Sequence, residues 1–248
     1  GLNCLDRKTG TIRSYKASSH PTTLPHNNLK SICYDNQRHC LYIGTHTGGL
    51  TRFDIAKQTF KNYQQQESKE DMPGDVIHEV MYYKGKVIVA ARNGTFIMDV
   101  DNETFRRLGD GRSCQNFDID PDDYIWTSNG QQIVCRNLND LSEQKVFTSS
   151  HYGVSITRLF ASRDGFIYFG SYGSGLFRLD RKDGTIINYT AEKDKLLSNY
   201  CYKIAETNLG QLLVTTDKGI MLFTPSDGTL NVVRLGMGIT LVSIVLDC

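Results

Sequence analysis

One pattern recurs along the chain and limits what it can fold into. An apolar-x-x-apolar step occurs at Leu29 and Ile32, Ile77 and Val80, Cys114 and Phe117, Ile156 and Leu159, Cys201 and Ile204, and Leu241 and Ile244. The first positions lie 48, 37, 42, 45 and 40 residues apart. A glycine opening a second apolar run follows 13–17 residues after each of the first five steps, at Gly49, Gly94, Gly130, Gly175 and Gly219. Between the two marks lies a third run, such as Val87-Ile88-Val89-Ala90-Ala91, and a fourth closes each unit. Asp183-Gly184, Asp227-Gly228, Thr9-Gly10 and Asp101-Asn102 supply turn chemistry between runs. Four short strands per repeat of about 42 residues, with no helical period, is the pattern of propeller blades. A β-sandwich would not need this self-similarity.

The 248 residues therefore read as all-β, a single β-propeller domain of four-stranded antiparallel blades. Five complete blades are predicted at 29–63, 76–108, 114–147, 156–189 and 201–235, with parts of a sixth at 1–15 and 238–246. The ends leave two readings open: a fragment of a longer propeller, or a closed six-bladed ring whose last blade lacks its second strand. The apolar segment from Leu241 to Leu246 is expected to pair with the other chain end, or to form the least stable part of the domain. Gly1-Leu2-Asn3-Cys4 opens directly on strand-like sequence, so a leader has been removed or the piece is excised.

Composition narrows the function classes. Lys and Arg number 28 against 27 Asp and Glu, without runs of either sign, which argues against a nucleic-acid backbone as partner. The longest apolar stretch, from Gly236 to Leu246, is shorter than the ~20 residues of a membrane helix. The seven cysteines form no CxxC pair, and most fall in apolar runs where a free thiol acts as a small hydrophobe. Cys33 and Cys40 flank a short turn and could pair in an oxidising compartment.

Tyr42-Ile43-Gly44-Thr45 followed by Gly49-Leu50-Thr51-Arg52-Phe53-Asp54 resembles the repeat of bacterial two-component regulator propellers. The fullest copy runs from Asp164-Gly165-Phe166-Ile167-Tyr168-Phe169-Gly170-Ser171 to Gly175-Leu176-Phe177-Arg178-Leu179-Asp180. Tyr124-Ile125-Trp126-Thr127 keeps the tryptophan, whereas Val89-Ala90-Ala91-Arg92 departs most. The resemblance implies the periplasmic or extracellular sensor portion of a hybrid histidine kinase. Its partners would be a β-sandwich, a membrane helix and a kinase later in the same longer protein. It also implies an oligosaccharide ligand, and no enzymatic activity in this domain itself. A protein-interaction propeller, with homodimer formation, is the alternative, and a propeller lyase or glycosidase a third reading.

No G-x-S-x-G elbow, H-E-x-x-H helix or phosphate loop occurs, so no catalytic residue, metal or cofactor is predicted. Asp120, Asp122 and Asp123 read as a hairpin turn rather than a carboxylate site, and His20 and His26 as loop histidines. Propeller geometry brings the two x positions of each step toward a channel, which singles out His78, Arg158 and Tyr202 alongside Lys30, Ser31, Glu79, Gln115, Asn116, Thr157 and Lys203. Loops between second and third strands open on the same face as the inter-blade loops and carry His46, Arg92, Asn93, Asn129, Tyr172 and Lys218. Amides, an arginine and tyrosine rings together suit carbohydrate or peptide recognition.

Overall fold

The computed structural model describes residues 1–64, 72–148 and 154–233, with the backbone alone for 143–148. The chain divides into two compact units, Gly1–Thr148 and Ser149–Cys248. In the first unit, β1 (Leu2–Leu5) and β2 (Ile12–Tyr15) pair as a two-stranded sheet. Three four-stranded blades follow. The first comprises β3 (Leu29–Asp35), β4 (Cys40–Thr45), β5 (Leu50–Asp54) and β6 (Thr59–Tyr63). The second holds β7 (Ile77–Tyr83), β8 (Lys86–Ala91), β9 (Gly94–Asp99) and β10 (Thr104–Leu108). In the third are β11 (Asn116–Ile119), β12 (Tyr124–Ser128), β13 (Gln132–Asn137) and β14 (Glu143–Thr148).

The second unit contributes two more blades. They are β15 (Ile156–Ala161), β16 (Phe166–Ser171), β17 (Leu176–Asp180) and β18 (Ile186–Tyr189), then β19 (Cys201–Glu206), β20 (Leu212–Thr216), β21 (Gly219–Thr224) and β22 (Thr229–Val232). Within every blade the strands pair antiparallel in sequence order, as the repeat predicts. A four-residue helix, α1 (Ala191–Asp194), is the one helix among the described residues. No helix there is long and apolar enough to cross a membrane. The expected strand at 238–246, and with it the pairing of the chain ends, lies outside the described residues.

The apolar-x-x-apolar step poses a geometric problem, because residues three apart in a regular strand face opposite ways. The structure resolves it with a β-bulge. Pairing with the second strand skips one residue between Leu29 and Ser31, Ile77 and Glu79, Ile156 and Arg158, and Cys201 and Lys203. The extra residue turns both apolar positions to the core. Ile77, Val80, Ile156, Leu159, Cys201 and Ile204 are accordingly buried. Ile32 is the exception at 48% exposure. It lines a groove of about 620 Å³ with Leu2, Ile12, Leu41 and Phe53, beside the β1–β2 sheet.

The core lies between consecutive blades. Tyr42, Leu50 and Tyr63 of the first pack on Ile77, Val89 and Phe96 of the second, and Tyr168 and Leu176 on Cys201, Val214 and Phe223 in the other unit. Burial of each such large side chain contributes roughly 1.5–3 kcal/mol. Gly44 sets the closeness of approach, since a Cβ there would sit 2.4 Å from Ile77 Cγ2. Polar stitches reinforce the contact. Ser31 Oγ accepts the Val80 N–H at 3.1 Å, Glu79 Oε2 accepts the Phe117 N–H at 3.3 Å, and Thr157 Oγ1 donates to the Cys201 carbonyl. Three positions expected to face a channel are thus engaged with the innermost strand of the next blade. Cys33 and Cys40 are free thiols and form no disulfide.

The hairpins joining third and fourth strands share one turn. A carbonyl accepts the N–H of the fourth residue on, as in Asp54 with Gln58 at 2.8 Å and Asp180 with Gly184 at 3.0 Å. That fourth residue is left-handed: φ is +79° at Gly184 and +72° at Gly228, but also +55° at the exposed Gln58. A side chain in this region costs about 1 kcal/mol that glycine does not. Gln58→Gly is therefore expected to stabilise the protein by about 0.5–1 kcal/mol and raise Tm by roughly 2 °C in a calorimetric melt. A lower Tm would show that Gln58 makes a compensating contact.

Candidate recognition surface

A hydroxyl ends the second strand in several blades, and it folds the loop that follows. Thr45 Oγ1 accepts the Gly48 N–H at 2.8 Å and donates to the Gly49 carbonyl at 3.0 Å. Ser171 Oγ does the same with Ser174 N–H, 3.1 Å, and the Gly175 carbonyl, 2.8 Å. Each loop is then tied to the inter-blade connections. His46 N–H reaches the Asn28 carbonyl and Gly49 N–H the Asp75 carbonyl, both at 2.9 Å; Arg92 N–H reaches Val76 at 3.0 Å and Tyr172 N–H Ser155 at 2.9 Å. Gly175, at φ +89°, has no room for a side chain, since its Cβ would lie 2.1 Å from the Tyr189 carbonyl oxygen. Rigid corners result, and the predicted residues project from them.

In the second unit the loop after β16 presents Tyr172 beside Tyr200 and Tyr202. Tyr172 and Tyr200 form an antiparallel bridge, and Tyr202 is the bulge residue of β19. The Tyr172 ring centroid lies 6.3 Å from that of Tyr200 and 5.8 Å from that of Tyr202, at interplanar angles of 84° and 69°. The three rings are 60%, 46% and 36% exposed, high values for aromatic side chains. Gly173 leaves space under the Tyr200 ring, which passes 3.7 Å from its ideal Cβ position. Desolvation, and the Asp217 carboxylate after it, hold the Tyr202 phenol above its ordinary pKa. Lys218 is exposed on the β20–β21 loop, and Arg158 is half-buried on β15 opposite Gly170. Tyr200 escaped the sequence reading. Its signal was the alternation Tyr200-Cys201-Tyr202 around a buried cysteine.

In the first unit the structure brings His46, His78 and Arg92 together with Lys30. His78 is half-buried, and burial first, then Arg92, Lys30 and His46, lowers its pKa below the ordinary histidine value. Asn93 belongs to the loop framework instead. Its Oδ1 accepts the Gly74 N–H at 2.7 Å and its Nδ2 donates to the Met72 carbonyl at 3.3 Å. Asn129 likewise accepts the N–H groups of Gln131 and Gln132 at 2.9 and 2.8 Å. It borders a separate polar cavity of about 380 Å³ with Thr95, Thr127, Arg112 and Arg136. The predicted residues thus form a tyrosine group in one unit and a cationic group in the other.

The aspartates at 120–123 build a turn. Asp120, 2% exposed, accepts the Asp122 and Tyr124 N–H groups at 2.9 and 3.1 Å and the Trp126 indole N–H at 2.8 Å. Asp123 bonds to Tyr83 and Lys84. Among the described residues no group of three or more His, Cys, Asp or Glu could hold a metal ion. Asp120→Ala removes the acceptor of the buried Trp126 indole N–H and of the Asp122 and Tyr124 N–H groups, so chemical denaturation is expected to show a loss of about 3 kcal/mol. A loss below about 1 kcal/mol would mean that water replaces the carboxylate.

No protein-family model and no curated protein sequence matches the chain. Solved structures do. The extracellular domain of a hybrid two-component system from B. thetaiotaomicron is 18% identical, with a TM-score of 0.70 over 84% of this chain and 30% of that one. PorZ, a bacterial surface component of the type-IX secretion system of Porphyromonas gingivalis, is 14% identical with a TM-score of 0.67, over 87% of this chain and 35% of that one. Virginiamycin B lyase from Staphylococcus aureus is 13% identical with a TM-score of 0.66, over 85% and 71%. These likenesses show the fold: the chain is an all-β protein of the propeller class. It spans less than a third of the two-component system domain.

Proposed function

We propose that the chain is an extracytoplasmic ligand-sensing module of a bacterial two-component sensor, and that it recognises an oligosaccharide. The carrying observation is the Tyr172, Tyr200 and Tyr202 cluster, three exposed rings at interplanar angles of 84° and 69° where the β16–β17 loop meets the start of β19. Mutually tilted tyrosines offer flat apolar area and hydroxyls at low entropic cost, which suits sugar rings with one apolar face. The similarity to the extracellular domain of a hybrid two-component system supports the sensor reading. In this reading 1–248 is one module of a longer protein, located on the periplasmic or extracellular side, and it passes the signal through a β-sandwich to a kinase.

Binding is favoured over catalysis, since the aspartates of the third-blade hairpin are engaged in turns and blade contacts. An interaction role is the second reading. It is favoured by the exposed Leu5, Ile12 and Ile32 beside the 620 Å³ groove of the first unit, where a protein partner or second copy would dock. Calorimetric titration with a panel of neutral oligosaccharides separates the two. The native chain is expected to bind at least one saccharide, and Tyr172→Ala with Tyr202→Ala to weaken it tenfold or more, about 1.4 kcal/mol, at unchanged Tm. Equal affinity in the variant overturns the tyrosine assignment.

A further inference from the structure

The geometry points to an oxyanion-binding site in the first unit, formed by Lys30, His46, His78 and Arg92, that takes the carboxylate or sulfate group of an acidic ligand. It stands on different residues from the tyrosine cluster and does not depend on that cluster binding a sugar. Two facts of backbone geometry converge these side chains. Lys30 and His78 are the bulge residues of β3 and β7, so both leave the ladder of their own sheets. The two strands are held side by side by Ser31 and Val80, whose Oγ and N–H meet at 3.1 Å. His46 and Arg92 then enter from the anchored loops, through the 2.9 Å bond to Asn28 and the 3.0 Å bond to Val76. Each anchor lies two residues before a bulge residue, which brings loop and strand side chains to one corner. A fifth donor adjoins. The His26 ring lies 6.5 Å from that of His46, and because its Nδ1 accepts the Asn28 N–H at 3.0 Å, its Nε2 is left to donate.

Among the described residues the corner gathers cationic and imidazole groups. Lys30, His46 and Arg92 are exposed and His78 half-buried, and among the described residues none of the four side chains has a hydrogen-bond or ion-pair partner. Glu79, next to His78, is buried and turned to the Phe117 N–H, and Asp75 is exposed on the connection into β7. Like charges gathered together repel one another, and an oxyanion relieves the repulsion while accepting their N–H groups. Proton linkage follows with a definite sign. Burial first, then Arg92, Lys30 and His46, disfavours the charged imidazole of His78 and lowers its pKa. A bound anion favours the charged form, binding takes up a proton, and affinity falls as pH rises.

The test follows histidine ring resonances of the whole chain by NMR during titration with sodium sulfate and with sodium glucuronate, against sodium chloride at matched ionic strength. The expected result is a saturable shift of His78 with sulfate or glucuronate, at least threefold tighter at pH 6 than at pH 8. Lys30→Gln with Arg92→Gln is expected to weaken it at least fivefold with Tm unchanged, and Tyr172→Ala to leave it intact. A tighter response to one anion than the other tells sulfated from carboxylated ligands. The proposal is overturned if neither anion gives a saturable shift beyond that of chloride, or if the double variant responds like the native chain. Neutral saccharides do not report on this corner, so the outcome is independent of the tyrosine assignment.

Discussion

A single extra residue in the first strand of a blade underlies much of this structure. Without it, an apolar-x-x-apolar step would turn one of its two apolar side chains away from the core. With it, Ile77 and Val80, and likewise Ile156 and Leu159, are both buried. The bulge also releases one side chain per strand from the ladder: Lys30, His78, Thr157 and Tyr202. Thr157 bonds to the next innermost strand, and the other three stand on the candidate surfaces. The device that completes the core is therefore the device that presents the chemistry.

The loops add the second half of each surface, and their rigidity comes from short-range chemistry. A hydroxyl at the end of strand two closes the loop in the blades that carry Thr45 and Ser171. The second blade has Ala91 at that point, and there the amide of Asn93 takes over by bonding to Gly74 and Met72. The substitution moves a polar group from recognition to scaffolding. A loop backbone anchored in this way lowers the entropic cost of binding.

Charge is distributed with the same economy. Asp120 is buried yet fully engaged by three N–H donors, and Glu103 gathers Arg52, Lys61 and Tyr63 between the first two blades. Against that background of paired groups, Lys30, His46, His78 and Arg92 at the corner of β3 and β7 stand out, since none of their side chains has a hydrogen-bond or ion-pair partner among the described residues. Pairing elsewhere in the first unit makes their lack of partners informative.

The sequence alone determined the blades, because antiparallel hairpins join residues close along the chain. The period of Gly49, Gly94, Gly130, Gly175 and Gly219 therefore records local pairing directly, and Asp-Gly steps mark the turns. Turn chemistry likewise identified Asp120, Asp122 and Asp123 as scaffold. Only the tertiary structure decided the fate of the polar positions. Ser31 and Glu79 were read as channel-facing, but their partners, Val80 and Phe117, lie 49 and 38 residues away. Asn93 and Arg92 are adjacent and equally polar, yet one is consumed by the loop and the other has no side-chain partner among the described residues, a distinction set by where Met72 and Gly74 pass. Tyr200 joined Tyr172 only when the connection into β19 came alongside the loop after β16. Periodicity reports which strands pair, whereas the satisfaction of a polar atom depends on which distant backbone arrives beside it, and that is decided by packing between blades.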